Sequence, residues 1–94
     1  MPYSDTIGGS ISATSTKTTT DLNGCLHLTL INDGANSVHV VLVQDSPEDT
    51  TVDTTDFELK INETITFDST EGFINLLTIC DTAETATVRY IGWY

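Results

Sequence analysis

The sequence predicts an all-β domain, a small antiparallel β-sandwich of six or seven strands with Greek-key or jelly-roll connections. Three observations lead there. From Phe57 onward, segments 57–67, 72–80 and 85–94 are rich in β-branched and aromatic residues and are separated by polar turn clusters, the pattern of short, regularly spaced strands. Thr is the commonest residue, and its branched Cβ favours extended backbone. No window carries a sustained i, i+3, i+4, i+7 apolar stripe, so no amphipathic helix is expected.

Residues 1–20 are mostly Ser, Thr and Gly, with Ile11, Ala13 and Ser15 alternating weakly with polar neighbours. They read as either a mobile arm or an edge strand, and the sandwich proper as residues 21–94. Asp21-Leu22-Asn23-Gly24 reads as a turn, as does Asn32-Asp33-Gly34-Ala35-Asn36, because Asn and Gly supply the backbone conformations that turns require. Between and after them, residues 25–31 and 38–43 alternate. Paired as a hairpin with Leu28 opposite Leu42 and Leu30 opposite Val40, they place Leu26, Leu28, Leu30, Val38, Val40 and Leu42 on one uninterrupted core face. The other face then carries Cys25, His27, Thr29, Ile31, His39, Val41 and Val43, too apolar to be simply solvated.

An acidic loop, 44–56, carries Asp45, Glu48, Asp49, Asp53 and Asp56. Phe57, Leu59 and Ile61 then alternate with Glu58 and Lys60, and the chain reverses near Asn62-Glu63, so that Ile65 and Phe67 match Leu59 and Phe57. After a polar turn at 68–72, the almost continuously apolar 74–80 is expected to be covered on both faces. Asp81-Thr82-Ala83-Glu84 turns the chain into a closing strand in which Val88 and Tyr90 alternate with Thr87, Arg89 and Ile91.

Ninety-four residues make one domain with little core to spare. Fourteen acidic groups against three basic ones give a net charge of −11. That balance disfavours nucleic acid, whose binders need a basic stripe, and anionic membrane surfaces. It also strains the compact state by self-repulsion, which a cation, high salt or a basic partner would relieve. Met1-Pro2-Tyr3 lacks the features of a signal peptide, and no stretch reaches bilayer-spanning length, so synthesis and folding in the cytosol are expected. Cys25 and Cys80 are then expected to be reduced and buried. A bridge between them would stabilise by about 4 kcal/mol, and their wide spacing is of the immunoglobulin kind. However, Thr78 stands where a tyrosine corner would, and no Trp follows Cys25 at the required distance.

Little in the sequence suggests catalysis. The seven Ser residues occur in no nucleophile-elbow context, and there is neither a phosphate-cradling Gly-rich loop nor a CxxC pair. His27 and His39, on one hairpin face, would stand roughly 13 Å apart at strand rise, too far to share a metal. The acidic loop is the one candidate for Ca²⁺, by ligand count alone; otherwise no cofactor is expected. Asn62-Glu63-Thr64 fits a glycosylation sequon but reads as a turn. Arg89, the sole arginine, either pairs with a carboxylate of its own fold or anchors an interface. Tyr90, Trp93 and Tyr94 either close one end of the sandwich or, as favoured here, anchor a partner. The interface candidates are therefore Ile31, Val41, Val43, Arg89, Ile91, Trp93 and Tyr94.

An alternating strand, a reversal at Asn62-Glu63-Thr64 leading to Ile65-Thr66-Phe67, an apolar 74–80 strand and a closing 85–91 strand together resemble the small β-sandwich accessory proteins of tailed-bacteriophage virions. Those are head decoration (cement) proteins and tail or head–tail adaptors. The resemblance runs from Cys25 onward. It implies a non-enzymatic virion component made in the host cytoplasm, a homotrimer or other homo-oligomer. Its partners would be its own copies and the major capsid or another virion protein, which would bury what the thin core cannot. The alternative is a glycan- or receptor-binding module using the aromatics near Trp93 and Tyr94.

Overall fold

The computed structural model describes residues 6–44 and 51–94. Six strands make up the fold, and there is no helix among the described residues: β1 (Thr6–Ala13), β2 (Thr18–Ala35), β3 (Val38–Val43), β4 (Phe57–Leu59), β5 (Thr64–Ile79) and β6 (Ala86–Trp93). The expected all-β class is what the chain adopts. All pairs are antiparallel, in one continuous sheet of order β1-β6-β2-β5-β3-β4. Eight of the first twenty residues form β1, at the sheet edge against β6, and the next strand already begins at Thr18.

Two long strands organise everything else. The first part of β2 (Thr18 to Asp21) pairs with the end of β5, and its later part (His27 to Ile31) pairs with the beginning of β5. On its other side, β2 from His27 to Ala35 pairs with β6, while the end of β5 pairs with β3. Both strands are irregular at the same place. Between Asp21 and Cys25, four positions of β2 face two of β5; between Cys25 and His27, two face five. Asn23, Gly24 and Gly72 have positive φ there. Extra residues of this kind bend a strand and increase its twist. The expected turns at 21–24 and 68–72 are thus bulges inside continuous strands. Asn-Gly supplies left-handed backbone equally well for either purpose.

The expected hairpins are corrected as well. Strands β2 and β3 follow one another but do not pair: Leu28 lies opposite Phe67 and Gly92, and Leu30 opposite Ile65 and Tyr90. Likewise β4 pairs with β3, Phe57 opposite Val40 and Leu59 opposite Val38, rather than with β5. Phe57 and Phe67 still meet edge to face, with ring centroids 6.4 Å apart.

The sheet closes over one main core in which Ile11 and Ala13 of β1 share a cluster with Leu28 and Leu30 of β2, Val38 and Val40 of β3, Leu59 of β4, Phe73 and Leu76 of β5, and Val88 of β6. Both cysteines belong to this cluster, buried and as free thiols. Asn32 is fully buried and satisfied: its amide nitrogen donates to the carbonyls of Asn36 (2.8 Å) and Leu59 (3.0 Å), and its oxygen accepts from the Gly34 N–H (2.8 Å). It therefore pins the turn after β2 to the end of β4. A second, smaller cluster of Val43, Val52 and Leu77, with Val41 and Ile79 against it, covers the opposite face of β3 and β5. The expected two-sided cover of the 74–80 segment follows from these two clusters.

Candidate functional site

The register of β1, β6, β2 and β5 lines up an outward face in rows. Thr6, Trp93, His27 and Asp68 form the first, Gly8, Ile91, Thr29 and Thr66 the second, and Ser10, Arg89, Ile31 and Thr64 the third. These residues share a face because strand side chains alternate with period two and the core takes the other set.

Each row is tied across the strands. In the first, His27 Nδ1 lies 2.6 Å from Asp68 Oδ1. The His27 ring is stacked on Trp93, centroids 5.3 Å apart and planes 18° from parallel. In the second, the hydroxyls of Thr29 and Thr66 are hydrogen-bonded at 2.9 Å. In the third, Arg89 makes a two-pronged pair with Asp33, through Nε to Oδ2 and through Nη2 to Oδ1 at 3.1 Å. The hydrogen bonds it donates to Asp33, and then the charge of that carboxylate, hold the Arg89 guanidinium above its ordinary pKa. Arg89 thus takes its carboxylate from its own fold.

Between the second and third rows lies an open groove of about 380 Å³, lined by Gly9, Ser10, Thr29, Ile31, Arg89, Tyr90 and Ile91. Gly8 keeps this edge low, since a Cβ there would stand 2.9 Å from the carbonyl oxygen of Tyr90. Ile91 is 47% exposed beside it.

Of the residues expected at an interface, Ile31, Arg89, Ile91 and Trp93 come together on this face. Tyr94 lies at its end, where its hydroxyl donates to the carbonyl of Asn23 (2.9 Å) and holds the β2 bulge. Val41 and Val43 lie elsewhere, in the small cluster beneath Val52. His27 and His39 do not share a ladder. His39 is buried on β3, with Nδ1 3.2 Å from the Asp56 carbonyl and Nε2 3.3 Å from Asp81 Oδ1, so it fastens the segment before β4 to the turn after β5.

Within the acidic loop, Asp45, Glu48 and Asp49 lie outside the described residues. Asp53 and Asp56 are engaged in their own turn: Asp53 Oδ1 accepts from the hydroxyl and N–H of Thr55, which lowers its pKa, and Asp56 Oδ2 accepts from the Asp53 N–H at 2.8 Å. No group of three or more His, Cys, Asp or Glu side chains is arranged to hold a metal among the described residues.

Asp33, Asp68, Thr29 and Thr66 escape recognition from sequence, because their importance depends on β2 lying between β5 and β6. Alternation assigns residues to a face but names no neighbouring strand. Comparison with protein-family models, with curated proteins and with solved structures found no match. No helix among the described residues is long and apolar enough to cross a membrane.

Proposed function

We propose that this chain is a non-enzymatic structural protein of a virion, of the kind that decorates or cements a capsid shell, and that it meets the shell through the β1-β6-β2-β5 face. One observation carries this reading: the charged groups of the face are already partnered within it. Asp33 neutralises Arg89 and His27 faces Asp68, while Ile31, Ile91 and Trp93 supply apolar and aromatic contact in a chain whose net charge is otherwise −11. A partner covering this face desolvates few unpaired charges, which is what makes burial favourable. Cross-strand ties also fix the side chains beforehand, reducing the ordering cost of association. The acidic remainder suits a protein that keeps away from packaged nucleic acid. A tail or head–tail position would use the same face.

The test is co-sedimentation with assembled particles. Ile91→Asp places an unpaired charge at an exposed position and should abolish attachment, while Thr54→Asp, in the turn before β4 at the far edge of the sheet, should leave it intact. Attachment that survives Ile91→Asp would exclude this face, and a wild-type chain that never enters particles would exclude the virion role.

The His27–Trp93 stack beside the Thr29 and Thr66 hydroxyls favours a second reading, a glycan-binding platform, since sugars dock on aromatic rings flanked by hydrogen-bonding groups. Trp93 is the sole tryptophan. A saturable change in its fluorescence with oligosaccharides would support that reading over the first.

A further inference from the structure

We infer that two copies of this chain join through β1, edge to edge and antiparallel, so that the sheet of one continues into the sheet of the other. The inference rests on the assembly reading above and names the surface that self-association would use.

Among the described residues, several strand edges carry no ladder partner. Strands β1 and β4 end the sheet, the first part of β2 pairs only with β5, the first part of β5 pairs only with β2, and the end of β3 pairs only with β5. Charge separates them. The β4 edge has Glu58, with Asp56 and Lys60 beside it; the β2 edge has Asp21, with Lys17 beside it; the β5 edge has Asp68, with Glu63 beside it. Of the edges without an ionisable side chain, β1 is the longest: Thr6–Ala13 has none, with Asp5 beside it, whereas the free end of β3 is the three residues Val41–Val43, with Asp45 close behind. At −11 per chain, two copies repel one another. The longest charge-free edge is where they approach with least opposition.

Edge strands are ordinarily protected by lysine, proline, inward charge or a bulge. β1 has none of these, and its pairing with β6 runs without a register shift from Thr6 to Ala13. Its row of backbone donors and acceptors is self-complementary under a two-fold axis, the symmetry of most homodimers. Parity then restricts the register. Ile7, Ile11 and Ala13 pack toward the core and Ser10 and Ser12 point outward, so only pairings that keep like faces together are allowed. In those nearest the centre of the strand, Ser10 faces either its own copy or Gly8 of the other. Either way the two Ser10 positions come within about 5–8 Å.

Analytical ultracentrifugation over a concentration series tests this, with a nitroxide on Ser10→Cys reporting the register. Expected are a monomer–dimer equilibrium, dipolar broadening between the two labels, and loss of the dimer in both Ser10→Lys and Ser12→Lys, while Thr70→Lys, with the same charge change elsewhere, still dimerises. Circular dichroism establishes that each variant is folded. A wild-type chain that stays monomeric, a dimer that survives both edge variants, or labels that show no broadening would overturn the inference. Particle attachment reads the earlier proposal separately. Folded edge variants that still attach refute only its dependence on β1, whereas a dimer that never attaches refutes the virion role and leaves this pairing standing.

Discussion

Gly72 faces the backbone of Gly24 so closely that a Cβ at position 72 would stand 2.6 Å from the Gly24 carbonyl oxygen. The two glycines sit at the common bend of β2 and β5, both with positive φ, yet the space around them differs. A Cβ on Gly24 would meet nothing within 4 Å. Gly24→Ala should therefore cost only the backbone penalty, about 1–2 kcal/mol. Gly72→Ala adds a backbone collision and should exceed the ~3 kcal/mol upper end for strained backbone alone. Urea denaturation of the two variants ranks them, and equal losses would show that the contact has no energetic weight.

Thr78 offers a change in the opposite direction. Its side chain is fully buried on β5, between Thr18 and Val40 of the neighbouring strands, and its hydroxyl has no hydrogen-bond partner. Thr78→Val keeps the shape and removes the unsatisfied group, so it should stabilise by roughly 1 kcal/mol or more. A lowered urea midpoint would mean that the hydroxyl is satisfied in solution.

The thiols make the fold sensitive to alkali. Burial raises the pKa of Cys25; burial, and then the charges of Glu84 and Asp81, raise that of Cys80. Below the ordinary thiol value of about 8.5, both states hold these protons and the contribution is complete. Above it the unfolded chain releases protons that the folded chain retains, so fewer are bound in the unfolded state and stability falls as pH rises toward the folded pKa values. Unfolding free energies followed upward from about pH 8 should decline. Cys25→Ala and Cys80→Ala should each flatten that decline, whatever they do to stability at neutral pH. An unchanged slope in both would assign it to other groups.

Trp93 reports on its own surroundings. His27→Ala uncovers the ring face that the imidazole occupies, so emission should shift to the red and stability fall by about 1 kcal/mol, the scale of one aromatic pair beyond its buried area. Asp68→Ala, which removes only the carboxylate holding Nδ1, should shift emission less. Emission unmoved in His27→Ala would mean that the stack is not maintained in solution.

Alternation alone sorted Leu28, Leu30, Val38 and Val40 correctly into the core, and composition excluded helices; beside the bulge, however, alternation put Leu26 on the core face where Cys25 is the residue buried there. Neither could say that Leu28 faces Phe67 and Gly92 rather than Leu42. A strand with a good apolar face suits any neighbour with another, and the choice is made by the whole sheet. Asn32 shows the same limit. In sequence it is one more turn residue, whereas in the fold it is a buried hub whose partners Asn36 and Leu59 become neighbours only when β4 docks on β3. Ile31, Arg89, Ile91 and Trp93 could be found because large or charged side chains at outward positions are conspicuous. Asp33, Thr29 and Thr66 could not, since small polar residues are abundant along this chain.

Because β2 and β5 each run through both halves of the molecule, neither half can come apart while the other stays intact. Their pairing also joins distant positions, sixty apart for Thr18 and Thr78 and thirty-three for Ile31 and Thr64. Slow, single-step folding follows, on the order of milliseconds to seconds, as non-local topologies require. Amides in the Thr18–Thr78 and Ile31–Thr64 ladders should exchange with solvent through one shared global opening.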